Sequence, residues 1–126
     1  MEIKPELKYT KDHEWVKVEG NQAIVGITDY AQGELGDIVY VEIEALGEDL
    51  QKEEIFGSVE AVKTVSDLFL PVSGTVTEMN EGLEDNPELI NEDPYNKGWI
   101  IKMKIQNPDE LEELLDSESY KDLIGA

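Results

Sequence analysis

One lysine stands apart from the other basic residues of the sequence. Lys63 is the single basic residue between Lys52 and Lys97, and the same stretch carries eleven acidic residues. It lies where two β-strand patterns meet, so a turn at that junction would present its primary amine at the end of a hairpin. The composition alone favours a plainer interpretation, in which Lys63 is a surface lysine that offsets its acidic neighbours.

The single histidine offers a second candidate for chemistry. His13 lies between Asp12 and Glu14, so a metal site or a general base is conceivable there. One histidine with scattered carboxylates is a weak pattern, and a structural or hydrogen-bonding role is favoured. The acidic residues within 81–93 lack the alternating register of a calcium loop and indicate a solvated loop instead.

The composition excludes several classes of function. The 126 residues carry 30 Asp and Glu against 10 basic residues, a net charge of −20, and every basic residue is a lysine. This acidity disfavours nucleic acid and anionic membranes as partners. The absence of cysteine excludes a thiol nucleophile, disulfides and Cys-ligated zinc. We expect a soluble, cytoplasmic protein, although an organelle matrix reached through a removed presequence also fits.

Alternating apolar residues and turn residues predict a mainly β protein. The pattern at 14–27 predicts a hairpin. Further strands are expected at 38–43, 54–62, 65–79 and 99–105. Pro71 breaks the longest of these regions, because proline cannot donate to a sheet ladder. Residues 45–50 are expected to form a loop, and residues 83–90 to contain a turn at Asn86, Pro87 and Glu88. Many short strands with frequent turns favour a barrel or sandwich in one domain.

Short helices are expected around this β body. Thr28 predicts the cap of a helix of one or two turns, which Gly36 ends. Asn107 followed by proline predicts the start of a C-terminal helix, and Ser117 caps a final helix. The inward-facing residues of that final helix are expected to be Tyr120, Leu123 and Ile124.

Residues 57–67 resemble the lipoyl-lysine region of glycine cleavage system H proteins. Their sequence is Gly-Ser-Val-Glu-Ala-Val-Lys-Thr-Val-Ser-Asp, and Pro-Val-Ser-Gly follows at 71–74. Lys63 falls at the lysine that this family modifies. Two neighbouring positions differ from the family pattern, since Ala61 stands where serine is usual and Thr64 where alanine is usual.

The resemblance extends in order from about Lys8 to Tyr120. It implies a flattened β-barrel of the biotinyl/lipoyl-carrier type in a single domain, residues 1–126. The barrel core is expected at about 14–106 and the C-terminal helices at about 108–124. A biotinyl domain is disfavoured, because that family has methionine on both sides of its modified lysine and this sequence has valine and threonine.

The resemblance also implies a cofactor, a site and partners. Lipoate would be joined in amide linkage to Lys63. In the family, the glutamate that matches Glu14 lines the cleft that holds the loaded arm, and the aspartate that matches Asp67 lies close by. Surface solvation of these carboxylates is the alternative. The arm would visit glycine decarboxylase, aminomethyltransferase and dihydrolipoyl dehydrogenase in turn, carrying the aminomethyl group and electrons. The chain would be a carrier and not an enzyme, a monomer loaded by a lipoyl ligase or transferase. A lipoyl donor for other enzymes is the alternative function.

Overall fold

Short β-strands are the main regular elements of the structure. A computed structural model describes residues 2–126 of the chain. Its strands are β1 Lys8–Tyr9, β2 Glu14–Glu19, β3 Gln22–Ile27, β4 Ile38–Ile43, β5 Asp49–Leu50, β6 Ile55–Ala61, β7 Val65–Phe69, β8 Gly74–Met79 and β9 Ile101–Ile105. Its helices are α1 Asp29–Leu35, α2 Gly82–Asp85, α3 Leu89–Glu92, the 3₁₀ helix Pro108–Glu113 and α4 Ser117–Ile124. The prediction of a mainly β fold with short helices is confirmed.

The strands form two antiparallel sheets that share a core. One sheet has the order β1-β2-β3-β9-β8-β5, and the other has the order β4-β6-β7. Buried side chains of both sheets belong to one apolar cluster, with Val25 and Met103 from the larger sheet and Phe56, Val59 and Leu68 from the smaller. Because side chains alternate along a strand, one row of side chains faces this core and the other faces solvent; in β9, Ile101, Met103 and Ile105 are buried and Lys104 is exposed.

The predicted hairpin at 14–27 forms as β2 and β3, and Gly20 occupies its turn with φ 66°. Gly26 in β3 lies against the indole of Trp15. A Cβ at Gly26 would come within 2.6 Å of Trp15 Nε1, so only glycine fits there. The same Nε1 donates a hydrogen bond of 2.9 Å to the carbonyl of Pro94. This packing ties the hairpin to the loop that precedes β9.

The helix predicted after Thr28 is also confirmed. Thr28 Oγ1 accepts a hydrogen bond of 3.1 Å from the Ala31 N–H, and Gly36 ends α1 with φ 82°. None of the seven residues of α1 is fully buried, so the helix lies on the surface of the sandwich. Within residues 2–126, no helix is long and apolar enough to cross a membrane.

One prediction for the connecting segments is wrong and another is incomplete. The expected loop at 45–50 ends in β5, where Asp49 pairs with Thr75 and Leu50 with Gly74. The turn expected at Asn86, Pro87 and Glu88 forms, but the short helices α2 and α3 that flank it were not predicted. A two-residue strand and a four-residue helix are each too short to show a period in the sequence.

The C-terminal helices differ in detail from the prediction. The first is a 3₁₀ helix and not an α-helix. The cap of α4 is Asp116, whose carboxylate accepts a hydrogen bond of 2.8 Å from the Ser119 N–H, whereas Ser117 is already the first helical residue. Tyr120 is buried as expected, but Leu123 is 50% exposed. With one side of a short helix against the sheet, only a narrow stripe of residues can face inward.

Candidate functional site

Lys63 lies in the turn that joins β6 to β7. The Ala61 N–H donates to the carbonyl of Thr64 at 2.7 Å, which closes the turn and leaves Val62 and Lys63 at its end. Lys63 is exposed and Val62 is 77% exposed. None of the ion pairs within residues 2–126 involves Lys63. The amine is therefore accessible to a partner molecule.

The segment 36–38, between α1 and β4, supports this turn. The Val62 N–H donates to the carbonyl of Asp37 at 3.1 Å. The side chain of Lys63 extends over Gly36, since a Cβ at Gly36 would lie 3.6 Å from Lys63 Cε and 4.0 Å from Nζ. Gly36 thus serves two purposes: it adopts the positive φ that ends α1, and it leaves room for the lysine side chain.

The exposed face of the smaller sheet combines apolar and acidic side chains next to the turn. Tyr40, Glu60 and Val65 are direct cross-strand partners and therefore share that face. Tyr40 is 53% exposed and Val65 is 60% exposed. In the parallel row of partners, Glu42 and Asp67 flank Ser58. A partner that approached Lys63 along this face would meet carboxylates and an exposed aromatic ring.

A groove of about 250 Å³ lies between α1 and β7, with Leu35 at its end nearest Gly36. The apolar residues Val59 and Leu68 line it, and the exposed residue Asp67 is also among its lining residues. The remaining lining residues are Asp12, His13, Ile27, Tyr30, Ala31, Glu34 and Ser66. The groove combines an apolar lining with several carboxylates at its edges.

Glu14 lies beside this groove and not in its lining. It is 2% exposed and lines a second cavity of about 190 Å³, and Asp12 lines both cavities. Its Oε1 accepts a hydrogen bond from Thr10 Oγ1 at 3.2 Å, and its Oε2 accepts one from the Phe69 N–H at 2.8 Å. Burial raises the pKa of the Glu14 carboxyl to about 8, and the two hydrogen bonds only partly oppose that rise. The alternative of a solvated surface carboxylate is thus wrong for Glu14.

His13 has the hydrogen-bonding surroundings that were favoured for it. Its Nδ1 lies 3.0 Å from the hydroxyl of Tyr120, which in turn lies 2.7 Å from Thr28 Oγ1. Burial lowers the pKa of the imidazole, which favours its neutral form, and the nearby carboxylates of Asp12 and Glu34 partly oppose that shift. No group of three or more His, Asp or Glu side chains among residues 2–126 is arranged to hold a metal ion.

Comparison with known proteins identifies the family. The family model described as glycine cleavage H-protein matches residues 7–126. The chain belongs to this H-protein family. It is 56% identical over 125 residues to the glycine cleavage system H protein of Staphylococcus carnosus strain TM300, covering 99% of each chain. It is also 56% identical over 126 residues to the same-named protein of Bacteroides fragilis, covering 100% of each.

A solved structure of an H protein has the same fold. The crystal structure of a glycine cleavage system H protein from Mycobacterium marinum matches with a TM-score of 0.86 at 35% identity, covering 98% of this chain and 100% of that one. As a member of the H-protein family, the chain is a lipoyl-carrier component of the glycine cleavage system. The resemblance that the sequence motifs indicated is confirmed.

Sequence reasoning assigned no role to the contacts that support the lysine turn. Asn91 in α3 bonds to residues 32–38 across sequence separations of 53 to 59 residues. Asn91 and Gly36 belong to segments that match the family, but nothing in their own residue types points to Lys63. Only the folded arrangement brings them together.

Proposed function

We propose that Lys63 carries lipoate in amide linkage and that this arm makes the chain the mobile carrier of the glycine cleavage system. The exposed position of Lys63 in the β6–β7 turn is the single observation that carries the proposal. When bound, lipoate supplies the disulfide chemistry that accepts the aminomethyl group and electrons. The chain itself presents, orients and shields that arm, and we infer that it catalyses no step.

The surroundings of Lys63 fit a long arm. Lysine with lipoate adds about ten bonds, each advancing ~1.25 Å, so the reach from the turn is roughly 13 Å. That reach is sufficient for the active-site funnel of a partner and for the nearby groove. Acylation removes the charge of the amine, which changes the net charge from −20 to −20 − 1 = −21. After acylation, the turn carries no positive charge beside the carboxylates of the exposed sheet face.

We infer that the groove between α1 and β7 receives the loaded arm. Val59 and Leu68 offer apolar surface for the hydrocarbon part, and Asp67 offers a carboxylate to a positively charged amine at its end. Glu14 enters the proposal through β7, because it bonds to the N–H of Phe69, two residues beyond Asp67. Glu14 thus holds the strand that presents Asp67.

The proposed partners are glycine decarboxylase, aminomethyltransferase and dihydrolipoyl dehydrogenase, with a lipoyl ligase or transferase for loading. A carrier must bind and leave several enzymes, so its contacts should form fast and remain weak. A net charge of −20 suits association with basic enzyme surfaces and keeps copies of the chain apart. From that charge we infer that the chain binds neither nucleic acid nor anionic membranes. We further propose that it is a monomer in the cytoplasm, with an organelle matrix as the alternative.

Loading of the purified chain tests the attachment site. After incubation with lipoate, ATP and a lipoate ligase, we expect the intact mass to rise by one lipoyl group and peptide mapping to place it on Lys63. Lys52 and Lys97 serve as internal controls. Modification of either control with Lys63 left free would overturn the proposal, and so would an unchanged mass.

A further inference from the structure

The side chain of Asn91 holds the segment that leads from α1 into β4. Its Nδ2 donates hydrogen bonds to the carbonyl of Gly36 at 2.9 Å and to Gln32 Oε1 at 3.0 Å. Its Oδ1 accepts a hydrogen bond from the Ile38 N–H at 2.9 Å. One amide group therefore binds the last turn of α1, the residue that ends the helix and the first residue of the strand.

This segment contacts the lysine turn at three consecutive residues. The contacts run in order along both segments: Ile38 pairs with Ala61, the Asp37 carbonyl accepts from the Val62 N–H, and Gly36 lies under the Lys63 side chain. The position of the turn thus depends on the position of residues 36–38. Residues 36–38 join the end of α1 to the start of β4. The regular pairing of β4 with β6 is interrupted just beyond them, between Ile38 and Tyr40.

Packing alone holds α1 only weakly. None of its residues is fully buried, and only Ala31 and Leu35 pack against the main core as partly buried residues. Gly36 adds no side chain of its own. The two hydrogen bonds that Asn91 donates to Gln32 and Gly36 therefore add to the packing of Leu35 in holding the C-terminal end of α1.

We propose that Asn91 is a positioning residue for Lys63. It holds residues 36–38 and, through them, the turn in which an enzyme must find the lysine amine. The inference rests on the proposed function of Lys63 and deepens it by naming what keeps the amine in place. Without Asn91, the turn would have to be ordered each time that a partner binds, so affinity would fall while the chemistry on the bound lysine would be unchanged.

Asn80 provides a matched control within the same chain. Its side chain also makes three hydrogen bonds, all to backbone groups: to the Lys97 carbonyl at 2.8 Å, to the Trp99 carbonyl at 2.8 Å, and from the Gly82 N–H at 3.1 Å. None of these partners belongs to residues 36–38 or to the lysine turn. Asn91→Ala and Asn80→Ala therefore remove the same number of bonds from different places.

Two measurements distinguish positioning from general stabilisation. Amide hydrogen exchange at Val62, measured by NMR without any cofactor, reports the support of the turn directly. Kinetics with a lipoate ligase, lipoate and ATP then separate the KM for the chain from kcat. For Asn91→Ala we expect amide exchange at Val62 to be about tenfold faster. We also expect KM to be about tenfold higher at similar kcat, because a few residues of the turn must then be ordered when the ligase binds. Asn80→Ala should change neither by more than about twofold.

Asn91→Asp is a second variant that keeps the size of the side chain and so leaves no cavity. It retains the acceptor for the Ile38 N–H but places carboxylate oxygen against the Gly36 carbonyl and Gln32 Oε1, so it should reproduce the effects of Asn91→Ala. Equal effects of the Asn91 and Asn80 variants, or unfolding of both Asn91 variants, would overturn the inference. If the ligase does not load the wild type, the proposed function fails. Amide exchange at Val62 would still show whether Asn91 holds the turn.

Discussion

The buried carboxyl of Glu14 accepts a hydrogen bond of 2.8 Å from the backbone N–H of Phe69. Glu14 begins β2 of the six-stranded sheet and Phe69 ends β7 of the three-stranded sheet, so this bond joins the two sheets directly. Burial raises the pKa of the carboxyl to about 8, which keeps it protonated at neutral pH and avoids a buried charge.

Glu14→Gln should change how stability depends on pH. The folded pKa of about 8 exceeds the ordinary value of 4.5, so the unfolded chain loses this proton first as the pH rises. The stability contributed by the group is full below about pH 4.5 and declines up to about pH 8, by up to about 5 kcal/mol. Glutamine does not titrate and should lack this decline.

Urea unfolding of both proteins between about pH 5 and pH 8 measures the effect. The free energy of unfolding of the wild type should fall relative to that of Glu14→Gln as the pH rises. A constant difference over this range would show that the Glu14 carboxyl has an ordinary pKa.

Gly26→Ala should destabilise the chain because the new methyl group meets the Trp15 ring within 2.6 Å. Overpacking of this kind typically costs about 1–3 kcal/mol. Gly33→Ala is the matched control: Gly33 lies in α1 with nothing within 4 Å of the added Cβ, so the change should stabilise by about 0.5–1 kcal/mol. Thermal unfolding should therefore show Tm shifts of opposite sign. A Gly26→Ala protein as stable as wild type would contradict the packing described for the hairpin.

The sequence was sufficient to predict features that depend on neighbouring residues. The hairpin at 14–27, the cap at Thr28 and the helix end at Gly36 are each set by the conformational preferences of a few adjacent residues. The solvent-exposed turn at Lys63 follows in the same way from two strand patterns that meet.

Features that depend on distant residues could not be predicted in this way. Glu14 is buried and bonds to Phe69, 55 residues away, and the acidic residues beside it in the chain do not indicate this burial. The Asn91 contacts with Gly36 likewise exist only in the folded chain. The pattern at 108–113 shows an α-helical start, and only the backbone of the folded chain shows that it continues as a 3₁₀ helix.

Lys63→Arg should retain the fold and abolish carrier function. The side chain is exposed, so the change costs little stability, and the guanidinium group keeps the charge but offers no amine for acylation. Exchange of bicarbonate into glycine by purified glycine decarboxylase should therefore stop with this variant. Lys97→Arg, at another exposed lysine, should support exchange at the wild-type rate. Undiminished exchange with Lys63→Arg would refute the carrier role of Lys63.

The acidic surface should accelerate docking with basic partner enzymes. If carboxylates steer association, raising the salt concentration should slow it, because the Debye length falls from about 30 Å at 0.01 M to about 8 Å at 0.15 M. Steering acts on the encounter, so the apparent KM for the loaded chain should rise with salt while maximal turnover changes much less. Steady-state kinetics with each partner enzyme across this salt range provide the measurement.

Charge reversal locates the part of the surface that matters. Glu60 lies on the exposed sheet face, directly opposite Tyr40 and Val65 and three residues before Lys63, whereas Glu112 lies in the 3₁₀ helix. Both side chains are exposed and neither forms an ion pair within residues 2–126, so each reversal changes the net charge equally. Glu60→Lys should weaken the salt dependence of KM more than Glu112→Lys. Equal effects of the two reversals would mean that net charge alone governs docking. A wild-type KM that does not change with salt would show that the acidic residues serve solubility and not docking.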